Sequence, residues 1–141
     1  MHLTLNTDAS WWEGDGGYAF YIRYGRGKWL IYGKLNQSRN CLDAELMAIA
    51  NGLVYILLKI NGPISKIIVN TDSVPAITYI TGMGRKKNYQ HILGSIHKSI
   101  GKLGCDIEWR HVKAHSGNGD NRSLANNLVD NYAKIGRKLE K

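Results

Sequence analysis

The chain of 141 residues holds only two cysteines, Cys41 and Cys105. They stand too far apart for a disulfide framework or a paired-thiol metal motif, so both are expected to be reduced, packed thiols. No segment is repeated or of low complexity. Long hydrophobic runs are also missing: the longest, LVYILL at 53–58, is far short of a membrane span or a secretory core, and the residues after Met1 are polar. A soluble cytoplasmic protein with no membrane partner is therefore expected. The length suits one core and not two, which gives a single domain over 1–141.

Acidic residues are in short supply. Eleven Asp and Glu face nineteen Lys and Arg, a net charge of +8. The imbalance is local: residues 1–84 carry seven basic against six acidic side chains, and residues 85–141 carry twelve against five. A basic surface attracts polyanions, of which nucleic acid is the commonest in a cytoplasm. The plainer alternative is a solubilising surface.

Residue periodicity supplies an order of elements. LTLNTDAS (3–10) alternates like a strand, and GYAFYIRY (17–24) and KWLIYGKL (28–35) are strand-like segments separated by the hairpin signal Gly25-Arg26-Gly27. From Asn40, a candidate N-cap, the period becomes helical through Leu42, Leu46, Ile49, Ala50, Leu53, Leu57 and Ile60, until Asn61-Gly62-Pro63. KIIVNT (66–71) reads as a buried strand. Ser73 is placed to cap a short helix containing Pro75, the stretch from Gly82 to Lys87 is a basic connector, and a helix covers 89–102. DIEWRHV (106–112) is a strand, and Leu124, Leu128, Tyr132, Ile135 and Leu139 mark a last helix. The order β-β-β-α-β-α-α-β-α predicts an α/β fold: a five-stranded mixed sheet with an antiparallel meander of strands 1–3, strands 4 and 5 parallel to strand 1, and helices on both faces.

The acids acquire meaning in that frame. Asp8 ends the first strand, Asp72 ends the fourth, and Glu45 lies near the start of the first helix. Each alone reads equally well as a turn, cap or rim residue. Together they converge on the crevice beyond the ends of adjacent parallel strands, the usual ligand position in open α/β sheets. Clustered carboxylates repel one another, so such a group serves to hold hard divalent cations.

TDAS (7–10), AELMAI (44–49), VNTDS (69–73), VKAHSG (112–117) and NNLVDNYA (126–133) occur in an order that resembles the type 1 ribonucleases H, across nearly the whole chain. The resemblance implies the ribonuclease H-like fold and a metal cluster of four acids, falling here on Asp8, Glu45, Asp72 and Asp130, with His115 as a mobile catalytic histidine. Fourteen residues separate His115 from Asp130, a longer loop than most cellular members have. Asp120 is the rival for the fourth acid; Asp130 is preferred because Asn126 precedes it by one helical turn. The asparagine before Glu45 falls one residue early, so that capping is a better role for Asn40 than substrate contact. Val74 stands where many members have a polar residue, and the long basic protrusion of some bacterial members is replaced by GRKKNYQ.

The resemblance implies two Mg²⁺ ions, with Mn²⁺ as an alternative, about 3.5–4 Å apart at the scissile phosphate. Asp8 would be shared, Glu45 and Asp72 would complete one shell, and Asp130 the other. His115 would move protons or help product leave. The implied function is an endoribonuclease that hydrolyses the RNA strand of RNA/DNA hybrids, leaving 5′-phosphate and 3′-hydroxyl ends, and acting as a monomer without a protein partner. Its substrate contacts would come from Ser10, Asn40, Ser73, Arg85, Lys86, Lys87 and Asn126. Two alternatives are a nuclease of this fold acting on a junction or single strand, and a non-catalytic hybrid-binding module. His111 reads as structural, and His2, His91 and His97 receive no role. Trp11 and Trp12 fit equally a stacking platform or a lid over the core.

Overall fold

Apolar side chains alternate up to Leu35, and in the structure, a computed structural model describing residues 1–82, 89–112 and 121–140, they form a meander of three antiparallel strands. The strands are β1 (His2–Trp12), β2 (Asp15–Tyr24) and β3 (Gly27–Leu35). The turn Gly25-Arg26 joins β2 to β3 as expected, with Gly25 at φ 59°. Helix α1 (Cys41–Lys59) leads to β4 (Lys66–Thr71), α2 (Val74–Ile80), α3 (Gln90–Leu103), β5 (Asp106–His111) and α4 (Asn121–Arg137). The sheet order is β3-β2-β1-β4-β5, with β4 parallel to both β1 and β5.

Two faces follow from strand alternation. Leu3, Leu5, Ile67 and Val69 point to the side covered by α1 and α3, where they join the main core. On the other face α4 packs across β1, β2 and β3, with Ala19, Val129 and Ala133 at the centre of a smaller core.

The caps agree with the sequence. The Asn40 side chain accepts from the Asp43 N–H at 2.8 Å, and the Ser73 hydroxyl accepts from the Ala76 N–H at 3.2 Å. Buried Asp43 in turn accepts from the Arg39 N–H and guanidinium, at 2.9 and 3.1 Å.

Three expectations need correction. In α1 the fully buried apolar residues are Ala44, Leu46, Ala48, Ile49, Leu53 and Ile56, while Leu42, Ala50 and Leu57 are half-buried. The helix meets the sheet and α3 together, so its buried arc is wider than one stripe and turned from the one predicted. By length and composition α1 would also pass for a membrane span, yet that arc lies inside the core.

The buried face of α4 is made mainly of small residues. Leu124, Ile135 and Leu139 are exposed, and the helix buries Ala125, Asn126, Val129, Ala133 and Gly136. Backbone proximity is the reason. A Cβ on Gly17 would collide with the Arg137 N and the Ala133 O, and one on Gly136 with the Gly33 O. Only small residues fit where a helix lies directly on strand backbone.

The first strand runs two residues further than predicted, so Trp11 and Trp12 lie within β1, opposite Gly16 and Asp15. Cys105 is half-buried, whereas Cys41, at the first residue of α1, is exposed rather than packed.

Candidate active site

Strand register brings the first two acids together. Asn6 of β1 pairs with Asn70 of β4 in the last parallel rung, and Asp8 and Asp72 each follow by two residues. Asp8 does not end β1 as expected but lies within it, and Asp72 lies one residue past β4; both are on the α4 side, where the parallel pairing stops. Glu45, in the second turn of α1, comes to the same edge from the opposite face. One carboxylate oxygen from each of Asp8, Glu45 and Asp72 lies within 4.8 Å of the other two. Asp130 of α4 is outside that triangle, although its charge still raises the pKa of Asp72 and of Asp8. It forms an ion pair with Lys134 at 3.3 Å.

The electrostatics are those of acids forced together. Burial, and then the charge of Asp72, push the Asp8 carboxyl up to about 8. Glu45 is held well above its usual range by burial and by the charges of Asp8 and Asp72. Burial and Asp130 raise Asp72, which His111 partly offsets. All three carboxyls are therefore raised together, by burial first and then by the charge of neighbouring acids.

The residues fit a hard divalent ion. All the donors are carboxylate oxygens, the chemistry that Mg²⁺ and Ca²⁺ select. Asp8 Oδ2 and Glu45 Oε2 are buried with no hydrogen-bond partner among the described residues. Such orphaned acceptors are costly in a folded protein unless a ligand satisfies them.

The other predicted positions are distributed as follows. Ser10 is half-buried on the same face of β1 as Asp8, and Ser73 is half-buried as the cap of α2. The Asn40 amide also donates to the Tyr89 hydroxyl at 3.1 Å, so both ends of that side chain are engaged. Asn126 is buried one turn before Asp130. His115, Arg85, Lys86 and Lys87 lie outside the described residues.

Two contributors escaped the sequence reading. Asn6 and Asn70 form a buried amide layer directly below Asp8 and Asp72, each with a side-chain oxygen lacking a partner among the described residues. The signal was the triplet Asn-Thr-Asp, which occurs at 6–8 and again at 70–72. His111 is the other: it is exposed at the end of β5 and acts electrostatically on Asp72, rather than being purely structural.

Known proteins agree with this geometry. The family model for RNase H matches residues 1–138. No curated protein sequence matches the chain. Among solved structures, RNase H1 from the halophilic archaeon Halobacterium salinarum is 14% identical, with a TM-score of 0.76 over 96% of this chain and 97% of that one. The N-terminal RNase H domain of Rv2228c from Mycobacterium tuberculosis is 13% identical, with a TM-score of 0.77 over 98% and 100%. LC11-RNase H1 in complex with an RNA/DNA hybrid is 13% identical, with a TM-score of 0.70 over 94% and 97%. At such identities the structures establish the fold, and the family match covers almost the whole chain. With three acids gathered from β1, the end of β4 and the start of α1, this chain belongs to the RNase H family and is a ribonuclease H hydrolase.

Proposed function

We propose that the protein is an endonuclease that cuts the RNA strand of RNA/DNA hybrids with the help of two divalent cations, Mg²⁺ with Mn²⁺ as the alternative. The observation that carries this reading is the triangle of Asp8, Glu45 and Asp72 with its two orphaned oxygens. The hybrid as substrate draws further support from the hybrid-bound LC11-RNase H1, which shares the fold.

Asp8, Glu45, Asp72 and Asp130 would hold the ions. When bound, such ions activate water and stabilise charge at the phosphate and the departing oxygen. The chain's own part is positional. The parallel register of β1 and β4 presents Asp8 and Asp72 side by side, and the Asn40 cap anchors the start of the helix that carries Glu45. Because burial and mutual repulsion raise these carboxyls, cation binding would compete with protons and depend on pH. His115, on the segment that links β5 to α4, accepts or returns a proton, or aids release. Cleavage then leaves 5′-phosphate and 3′-hydroxyl ends.

Selection of RNA requires contacts to 2′-hydroxyls across the minor groove, while phosphates hold the other strand. Ser10 is the best-placed hydroxyl for this, since it follows Asp8 on the same face of β1.

The test is a gel assay of end-labelled hybrid, duplex DNA and duplex RNA, with and without Mg²⁺. Cleavage confined to the RNA of the hybrid, and only with metal, is expected. Equal cleavage of duplex DNA, or none of the hybrid, would refute the reading.

A further inference from the structure

Buried side-chain polar atoms without a hydrogen-bond partner are few among the described residues, and they are not scattered. Of seven, five are oxygens of Asn6, Thr7, Asp8, Glu45 and Asn70, so the shortage of donors is concentrated at the acid cluster. A cation would satisfy the carboxylates. It leaves the two amides unexplained, because Asn6 and Asn70 each lie two residues below an acid and outside the triangle.

Their setting is an unfavourable one for an amide. Asn6 is 3% exposed and Asn70 6%, and the two are partners on the last parallel rung of β1 and β4. Neighbouring strands lie ~4.8 Å apart, and asparagines stacked at that spacing can satisfy one another, the amide N–H of one donating to the oxygen of the next. Neither oxygen is taken in this way here. Two residues earlier on the same face of β4 is Ile68, 8% exposed, so this side of the strand accepts an apolar residue. A buried amide that lacks a partner is less stable than an apolar group of its shape. Two of them beneath two acids therefore point to a state of the protein in which both are used.

The chemistry of a cation site identifies that state. A carboxylate that holds a metal ion is itself steadied by hydrogen-bond donors, and Mg²⁺ keeps several of its waters, whose protons need acceptors. An amide offers both, its N–H to a carboxylate and its oxygen to a water. Leucine would offer neither, and aspartate would add repulsion. Asp8 Oδ1 already accepts from the Ala9 N–H at 2.9 Å, whereas Oδ2 has no partner among the described residues. Residues two apart on one strand face are ~6.6 Å apart, near enough for the tips of an Asn and an Asp side chain to meet. We propose that Asn6 and Asn70 are positioning residues for the cation site, whose amides steady the Asp8 and Asp72 carboxylates and the waters of the ion between them. This rests on the divalent-cation activity proposed above.

The experiment separates metal binding from stability. Asn6→Leu and Asn70→Leu remove the amide and keep a side chain of similar shape, so both should melt in EDTA at or above the wild type. Calorimetric titration of the substrate-free protein with Mg²⁺ should give a Kd raised about tenfold or more in each, the scale for loss of a group that supports a metal ligand. The Mg²⁺ concentration for half-maximal cleavage of a hybrid should rise in step, and kcat at saturating Mg²⁺ should change less. Asn6→Ala and Asn70→Ala, which demand no extra room, should weaken Mg²⁺ likewise and decide the matter if leucine prevents folding. Ile68→Ala is the structural control: it should lower Tm and leave the Mg²⁺ Kd unchanged.

If the wild type cleaves the hybrid but the asparagine variants bind Mg²⁺ as tightly as it does, the positioning role is overturned and the activity stands. If those variants lose Mg²⁺ affinity yet the wild type never cuts the hybrid, the positioning role stands and the proposed activity falls. A Kd raised as much by Ile68→Ala would also overturn the positioning role, because any disturbance of β4 would then loosen the site.

Discussion

Asp8 and Asp72 each lie two residues beyond Asn6 and Asn70, the last parallel rung between β1 and β4, Asp8 still within β1 and Asp72 one residue past the end of β4. This relationship places the two acids side by side. It also loads the site with repulsion, since two unit charges 4 Å apart interact by about 4 kcal/mol at an effective dielectric near 20.

Neutralising the acids should abolish cleavage. Asp8→Asn, Glu45→Gln and Asp72→Asn each remove a direct ligand from the proposed cation site. Losing a group that only supports a ligand commonly costs about 10–100-fold, so each loss should exceed about a hundredfold in kcat/KM. Single-turnover assays on a labelled hybrid measure it, and a variant that retains the wild-type rate would be removed from the site.

The stability of the metal-free protein should fall as pH rises. The Asp8 carboxyl goes from its ordinary 3.8 to about 8 in the fold, and Glu45 and Asp72 are also raised. A raised acid pKa means that the folded state binds more protons than the unfolded state over that interval. Stability therefore declines between about pH 4 and pH 8, the reverse of the usual carboxylate case. In EDTA, Asp8→Asn should melt with the wild type at pH 5 and several degrees above it at pH 9. Mg²⁺ at pH 9 should raise the wild-type midpoint more than the variant's. Calorimetry at the two pH values gives the answer, and a wild type that gains stability with pH would contradict it.

The packing of α4 on the sheet should tolerate no added methyl. Gly17→Ala would drive a Cβ into the helix backbone at Ala133 and Arg137, and Gly136→Ala would do the same to Gly33. Backbone cannot yield as a side-chain tip does, so each should cost about 3 kcal/mol or more. That corresponds to a fall in Tm of roughly 10 °C for a chain of this size. Gly94→Ala, on an open surface of α3, is the control and should leave Tm unchanged or slightly higher.

The basic connector should act on binding. Changing Arg85, Lys86 and Lys87 together to Ala is expected to raise KM with little effect on kcat. Every phosphate that the variant no longer neutralises should flatten the log–log salt dependence by about 0.9. Steady-state assays across a salt series test this; an unchanged slope would turn attention to Lys98 and Lys102, both exposed on α3.

Much of this protein was legible in one dimension. Period-two and helical patterns identify the elements because they record which side of each element meets water. The caps Asn40 and Ser73 are local hydrogen bonds, so local sequence announces them. Asp8, Glu45 and Asp72 could be picked out only together: each alone reads as a turn, cap or rim residue, and the expected parallel pairing and the order of the motifs bring them to one crevice. What the tertiary structure decided was whatever depends on two elements meeting. The face of α4 could not be read from its large residues, since close approach to the Gly17 and Gly33 backbone selects small ones. The amide layer of Asn6 and Asn70 exists only through the register of β1 on β4. Trp11 and Trp12, identical in composition and adjacent in sequence, were separated by strand alternation: one faces the main core and bonds to Ser38, and the other is left in water beside the end of α4.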